Sequence, residues 1–491
     1  MLILIPITFQ NDTFYTIKIG QQIAEKGLVP IDDFTFLDNL PYTYPHWLYD
    51  YGIFQIYQIG GFKAIYISSI IFAMILAFLL MFISYRISKN RFVTFFVVCA
   101  TIMTLSINFT ARAQLITYIL LIIEYGVLFA YSQKKLSRVP FFLSMMIIST
   151  LIVNLHCAIW LLYFLIAIPF VVEKIISGYL IKKPYPLSER IIAIPTTQYS
   201  AIFVLITLIA SILTGFLTPL GDTPFTYLIK TYRGISTLMI SEHQPLAPVK
   251  NIAFMVFILE ISYLLLFTRC KVFVSELLLL AGLCFLTLLS IRQSAILLLI
   301  NALIAPRLLT QAFEEQCPKR LAFYTRNIGT IKGGIIALII ISLLCYAHYL
   351  YALSVSKITP FTENETTINF SQNYDDNYPV KAMDYLMLNA DPTTARIYSD
   401  YALGSYVLFR GFKPMLDSRA DLYTIEFNNK QDYIKEVAKL IAFQIPYEEF
   451  FKKFNINYIL LAKNDSLNSY INYDNKYQTI YEDKEFIIYQ R

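Results

Sequence analysis

The sequence predicts an α-helical polytopic membrane domain followed by a small α/β domain in water. Three observations carry that prediction. The 491 residues are 57% hydrophobic and only 15% charged, against roughly 25% charged residues in an average soluble domain, and the mean hydropathy is +0.55. Apolar runs of near-spanning length recur between residues 61 and 353. Charge then divides along the chain: from Lys357 onward 15 basic residues meet 19 acidic ones, and the remainder carries 25 and 15, so a basic body precedes a mildly acidic tail. This composition excludes a soluble globular enzyme, a disordered chain and a secreted disulfide scaffold. Cys99, Cys157, Cys270, Cys284, Cys317 and Cys345 avoid the tail and form no CxxC pair. They read as small hydrophobes in or near helices rather than as disulfide partners or zinc ligands.

The spans come first. Ten are expected, at 61–84, 92–107, 115–131, 140–154, 157–172, 200–216, 251–268, 272–290, 293–310 and 333–353. Only Leu155 and His156 separate the fourth from the fifth, so that pair is open to miscounting. Met1–Phe9 is apolar but too short to span, and is expected to be the outer half of a helix whose start lies upstream, which would make eleven. Lys and Arg set the orientation. Loops 85–91, 132–139, 173–199, 269–271 and 307–332 hold 17 of them, and the alternate set holds seven. The first set is expected in the cytoplasm. Residues 11–60, the loops near 110, 156, 217–250 and 292, and the tail then face outward, in a plasma membrane. The expected organisation is a membrane domain over 1–353, a polar linker over 354–377 and an extracytoplasmic domain over 378–491.

Within the tail, Tyr378-Pro379 opens a helix running to about Leu388. ARIYS (395–399) and KPMLD (413–417) read as strands around a short helix at 401–411 that ends on Gly411. Apolar spacing makes 428–443 and 446–454 helical, and the continuous run INYILLA (456–462) a buried strand. A hairpin over 479–490 closes the chain. Strands alternating with helices indicate an α/β layer. No glycine-rich nucleotide motif and no nucleic-acid signature is present.

The outward loops hold the chemistry-bearing residues. Asp12 follows an apolar stretch at the expected membrane surface, and the apolar positions of 13–26 suit a helix lying in the interface. His46 and Trp47 place an imidazole beside an interfacial aromatic, and Asp50 would share a helix face with His46. Other outward loops contribute Arg112 with Gln114, Asn154 with His156, Glu242 with His243, and Arg292. Ionisable groups at membrane depth are costly and tend to mark function. Plainer readings stand beside this one: Arg112 and Arg292 as snorkelling helix-end cations, His156 as a helix-packing group, Glu242 and His243 as a solvated pair. In the tail, Asp417, Arg419 and Asp421 alternate along one face, either as an acceptor-binding or docking surface or as a salt-bridged turn.

These residues resemble a known family. Asn11-Asp12-Thr13-Phe14-Tyr15, Gly20, the stretch Val29 to Thr35 and His46-Trp47-Leu48-Tyr49-Asp50 look like the first outer loop of bacterial GT-C membrane glycosyltransferases, similar to protein O-mannosyltransferases. Further matches are Arg112-Ala113-Gln114-Leu115, Asn154-Leu155-His156, Thr218-Pro219-Leu220-Gly221, Glu242-His243-Gln244-Pro245, Arg292, Gly404-Ser405-Tyr406 and Asp417 to Tyr423. The resemblance implies a GT-C-like membrane domain that moves a sugar from a polyprenyl-phosphate donor on the outer side of the membrane. It puts the catalytic or metal-binding acid on Asp12, although Asn11, not a second acid, precedes it.

The chemistry of such a donor assigns the remaining roles. A cation must hold the phosphate, with Arg112, Arg292 and the weaker Lys18 as candidates. A carboxylate must take the acceptor proton, Asp12 first and Glu242 second. His46, Trp47, Asp50, Asn154, His156 and His243 would hold sugar or acceptor. No cofactor is demanded by the spacing, and a divalent cation stays open, magnesium for carboxylates alone or manganese where histidines join them. The alternatives are a non-enzymatic membrane scaffold and a lipid-linked glycan transporter, against which stand the lack of a paired inverted repeat and the few intramembrane charges.

Overall fold

The structure is a computed structural model that describes residues 9–182, 192–193, 199–234, 240–319 and 378–491. The expected span 333–353, the linker 354–377, His348 and Met1 to Thr8 lie outside the described residues. The chain divides into two compact units. Of the described residues, 69–182, 192–193, 199–224 and 240–319 form a helical body, and 9–68, 225–234 and 378–491 form the second unit.

The polar segment before the first span opens with α1 (Asn11–Lys26), which ends where Gly27 adopts φ +76° and its N–H returns to Ile23 O at 3.0 Å. Next comes α2 (Trp47–Ser88), broken at Gly60 and Gly61. Gly61 takes φ +60°, ψ −150°, a conformation closed to side-chain-bearing residues. The body continues with α3 (Arg91–Leu105), α4 (Ala113–Ser132), α5 (Arg138–Leu155), α6 (Trp160–Lys182) and α7 (Ala201–Ile212). After α8 (Thr223–Arg233) come α9 (Ile252–Phe267), α10 (Val274–Leu289) and α11 (Ser294–Gln316). A parallel pair of two-residue strands, β1 (Ile192–Ala193) and β2 (Val272–Phe273), bridges the body.

Among the described residues, six helices are long and apolar enough to cross a membrane and three more are shorter but apolar. They coincide with nine of the ten expected spans. The doubtful pair resolves into two helices because His156, at φ −160°, ψ 71°, leaves helical geometry between them. Lipid-type exposure explains why these helices read so plainly. Those at the outside of the body need an apolar surface all round, not a stripe, and Phe78, Ile209, Leu259 and Phe285 are exposed accordingly, while α4 and α11 are apolar because they are largely buried among the others.

In the second unit, α12 (Val380–Asn389) precedes β3 (Arg396–Ser399), α13 (Tyr401–Phe409) and β4 (Lys413–Pro414). Then follow α14 (Ile425–Asn428), α15 (Tyr433–Ile441), α16 (Tyr447–Lys453), β5 (Tyr458–Ala462), α17 (Asn468–Ile471), β6 (Gln478–Glu482) and β7 (Phe486–Gln490). The sheet order is β4-β3-β5-β7-β6. β3 runs parallel to β4 and β5, and β7 runs antiparallel to β5 and β6. The apolar run at 458–462 sits inside the sheet, paired on both edges, as a two-sided buried strand must.

Three elements differ from the sequence reading. The strand expected over 413–417 pairs only at Lys413 and Pro414. The helix expected from 428 starts at Tyr433, because Asn429 turns left-handed at φ +56° and the Asn428 side chain accepts from Lys430 and Gln431 N–H, fixing a turn there. The largest difference concerns α1. Its apolar face does not lie on an interface but fills the core of the second unit. Phe14 is fully buried, with Tyr378 and Tyr406 ring centroids 4.8 and 5.1 Å away and Ile397, Val407 and Ile488 in the same cluster. The segment placed by sequence in the membrane domain thus shares a hydrophobic core with the tail.

Candidate functional site

Two polar clusters emerge, one in each unit. The first belongs to the helical body. Arg112 sits just before α4, and Arg292 just before α11, each in a short turn where an apolar helix begins. Backbone bonds then bring in the segment at 240–246. Ile291 N–H donates to Gln244 O at 3.0 Å, and Leu246 N–H to Leu288 O at 3.2 Å. A 3-10 turn over Ser241–His243 immediately precedes those anchors and brings Glu242 and His243 to the arginines.

The resulting pairing is unequal. Arg112 Nη1 donates to Glu242 Oε1 at 2.8 Å, a charge-neutralising pair. Arg292 Nη1 stands 3.3 Å from His243 Nε2. With the Gln114 amide oxygen turned toward it, Arg292 Nε also donates to that oxygen at 2.6 Å. Burial, with the neighbouring Arg292 charge, holds His243 down at about 4, so the imidazole is neutral at pH 7 and accepts rather than repels. Burial alone would raise the Glu242 carboxyl, but the Arg112 guanidinium outweighs it and holds it below the ordinary value. Two cations, one carboxylate and a neutral imidazole leave a net positive charge beside two helix N-termini. That arrangement attracts anions.

The second cluster is built on α1 and the start of α2. Gly20 lets them meet: a Cβ there would stand 2.2 Å from Asp50 O. The crossing aligns a chain of polar groups. Tyr15 Oη lies 3.2 Å from His46 Nε2, and His46 Nδ1 lies 2.8 Å from Asp50 Oδ1. Burial works against protonation of His46, but the Asp50 carboxylate, with Asp12 and Asp421 adding to it, raises its pKa. Asp12, in the first turn of α1, therefore belongs to the same electrostatic neighbourhood. Asp421 accepts from Tyr227 Oη. Trp47 opens α2 beside His46. Lys18 is half-buried, hydrogen-bonded to Gln21 Oε1 at 3.2 Å, and displaced round the helix from the Asp12 face.

Two sets of expected residues are placed elsewhere. Asn154 and His156 are buried among helices of the body. Asn154 Nδ2 donates to Thr150 O at 2.9 Å and Leu217 O at 3.0 Å, and His156 Nδ1 lies 3.0 Å from Thr117 Oγ1. The Thr150 bond lies within α5, and the other two tie the end of α5 to the segment after α7 and to α4, as buried polar groups in an apolar bundle do. Asp417 and Arg419 are not a tail surface, as they are 0% and 4% exposed. Arg419 Nε donates to Asp417 Oδ1 and Oδ2 at 3.0 and 3.1 Å, and its Nη1 donates to Asp32. The guanidinium also lies over the Tyr42 and Phe34 rings at 5.1 and 5.7 Å. The physical reason is charge compensation: a guanidinium fork satisfies two carboxylates at once and lets all three be buried. Asp32 was visible in sequence within the Val29 to Thr35 stretch, but nothing there pointed to a partner 387 positions away.

Among the described residues no group of three or more His, Cys, Asp or Glu side chains converges as a metal site would require. Asp12 is flanked by Gln10 and Asn11 rather than by acids.

No protein-family model and no curated protein sequence matches the chain. Solved structures do match. One is the archaeal oligosaccharyltransferase AglB from Archaeoglobus fulgidus in complex with an inhibitory peptide and a dolichol-phosphate, with a TM-score of 0.51 and 15% identity over 92% of this chain and 66% of that one. Another is the same organism's oligosaccharyltransferase tethered to an acceptor peptide containing the NVT sequon, with a TM-score of 0.52 and 14% identity over 92% of this chain and 65% of that one. The chain thus spans just under two thirds of the length of these archaeal proteins, and shares with them the GT-C membrane fold followed by a further domain.

Proposed function

We propose that the chain is a plasma-membrane glycosyltransferase that moves a sugar from a polyprenyl-phosphate donor to an extracytoplasmic glycan, lipid or protein acceptor. The observation that carries the reading is Arg292, a cation just ahead of a helix N-terminus whose hydrogen-bond partners His243 and Gln114 are both neutral. Such a guanidinium keeps its charge for an anion. A phosphate near membrane depth needs that charge, because an uncompensated anion there is expensive. Arg112 adds field but is paired with Glu242. That pairing makes Glu242 a counterion and a poor base. The base role falls to Asp12, with the Tyr15–His46–Asp50 chain beside it to receive or orient a proton.

In the step itself the bond from the anomeric carbon to the phosphate oxygen breaks and a bond from that carbon to the acceptor forms. The acceptor proton passes to a carboxylate base, and polyprenyl phosphate leaves as an anion that needs a cation to hold it. The AglB fold, in a protein solved with a dolichol-phosphate, supports a lipid-phosphate donor of this kind. The outward placement of the second unit rests on the excess of Lys and Arg in the opposite loops.

The test is release of polyprenyl phosphate from a polyprenyl-phosphate-sugar donor by the purified full chain in lipid. Asp12→Asn is expected to lose about 10²–10⁴ in rate, the range for a general base. Arg292→Gln should raise the donor concentration needed for half-maximal rate. Normal release by both variants would overturn the reading. Donor binding without any release would favour the transporter or scaffold.

A further inference from the structure

The α9–α10 turn carries a second site, independent of the glycosyl-transfer reading. A cavity of about 610 Å³ opens there, lined by Gln133, Arg269, Lys271, Phe273 and Arg307 together with Gln311, Glu314 and Glu315 of α11. On the other side of the same turn lies an apolar slot of about 150 Å³ between α9, α10 and α11, walled by Phe257, Ile261, Val272, Leu280, Ala281 and Leu308 among others. Lys271 and Val272 are consecutive, as are Arg307 and Leu308, so the two hollows flank the same turn and the same stretch of α11.

The frame of the cavity is fixed by α11. Arg269 N–H donates to Glu315 Oε2 at 2.9 Å and Lys271 N–H to Gln311 Oε1 at 3.0 Å. Arg307 Nη1 donates to Lys271 O at 3.1 Å, pairs with Glu276, and lies over the Phe273 ring at 4.6 Å. Arg307 is thereby neutralised and structural. Two charges are not consumed. Among the described residues, neither the Lys271 ammonium nor the Glu314 carboxylate makes a hydrogen bond or ion pair, and Arg269 holds only a loose contact to Glu315, at 3.5 Å, while largely exposed.

The geometry points to a binding site for a phospholipid whose head group joins a phosphate to a primary ammonium, as in phosphatidylethanolamine. The charge pattern selects that occupant. Lys271 and Arg269 would take the phosphate, and Glu314 the ammonium. A head group carrying phosphate alone would face two carboxylates without relief, and a quaternary ammonium offers no N–H to Glu314. The slot takes the first carbons of an acyl chain, which a soluble phosphate ester would leave empty. The turn ends two helices whose outer faces, including Leu259, Leu266 and Phe267, are exposed and apolar, the setting in which a lipid head group meets protein.

The experiment uses the full chain, stripped of lipid in detergent, and reads lipid retention by native mass spectrometry with a thermal-shift titration alongside. The probes are phosphatidylethanolamine, phosphatidylcholine and phosphatidylglycerol of matched acyl chains, and soluble phosphoethanolamine. Phosphatidylethanolamine should bind tightest. Lys271→Ala and Glu314→Ala should each weaken it roughly tenfold, as loss of a charge-assisted bond does, while melting like the parent in lipid-free detergent, since both side chains are exposed. Ala281→Phe, which fills the slot, should weaken the lipid but not phosphoethanolamine. Equal or tighter binding of phosphatidylglycerol or phosphatidylcholine would overturn the proposal, as would unchanged retention in both charge variants.

Discussion

Replacing Arg419 by methionine removes the one cation from a site that buries Asp32 and Asp417, with all three side chains 1% exposed or less. The structure shows what is lost. The guanidinium donates twice from Nε to Asp417, from Nη2 to Asp417 at 2.6 Å and Asp32 at 3.4 Å, and from Nη1 to Asp32. The carboxylates keep other donors, since Phe34 and Thr35 N–H reach Asp32 at 3.1 and 3.0 Å and the Arg419 N–H reaches Asp417 at 2.9 Å, but no counter-charge remains. Stranding one member of a buried pair costs about 3–5 kcal/mol. For a unit of this size, at roughly 2–4 °C per kcal/mol, the melting point should fall by about 6–20 °C. The chain has two tryptophans, and only Trp47 lies in the second unit. With Trp160→Phe as background, Trp47 fluorescence therefore reports this unit alone. The triple variant Asp32→Asn, Asp417→Asn, Arg419→Met should recover most of the loss, because each asparagine oxygen still accepts the backbone N–H groups and no net charge is buried. A single variant melting within a degree of the parent, or a triple variant no better than the single one, would refute the reasoning.

Three more expectations follow from the geometry. Arg112→Gln should cost more donor turnover than the double variant Arg112→Gln, Glu242→Gln, because the single change leaves an unpaired carboxylate beside the phosphate-binding cation; equal losses in a double-mutant cycle would show that Glu242 does not act as the counterion. The two clusters should respond oppositely to pH. His243, held at about 4 when folded, gains protons mainly on unfolding, so the helical body should lose stability as pH falls from about 6.5 toward 4; His46, raised by Asp50, favours its protonated form when folded, so the second unit should lose stability as pH rises above about 6.5 through the folded value. Hydrogen exchange of each unit across that range checks both signs, and His243→Gln and His46→Gln should each flatten its own limb. Gly404→Ala should destabilise the second unit by more than the usual 1–3 kcal/mol of overpacking, since its Cβ would stand 1.8 Å from the Leu416 carbonyl oxygen, and chemical denaturation of the purified chain measures it.

What composition and period can encode was legible in the sequence. Nine apolar helices fell where hydropathy placed them, because a helix facing lipid or buried among other helices must be apolar all round. The tail strands at 396–399 and 458–462 announced themselves by β-rich apolar runs bounded by turns. The pairing of His46 with Asp50 was also legible, since four residues on one helix is a local relation.

Long-range partners were not legible, and they decide the chemistry. Only the tertiary structure set Glu242 against Arg112 and gave Arg292 neutral hydrogen-bond partners, an asymmetry 130 and 49 positions wide that no local pattern records. Only the tertiary structure put Phe14 in the tail's core, buried the Asp417–Arg419 face against Asp32, and bonded Asn154 to Leu217 O and His156 to Thr117. Hydrophobic period says that a face will be covered but not by what. The cover is chosen by shape and charge compensation across the whole chain, and these exist only once the chain has folded.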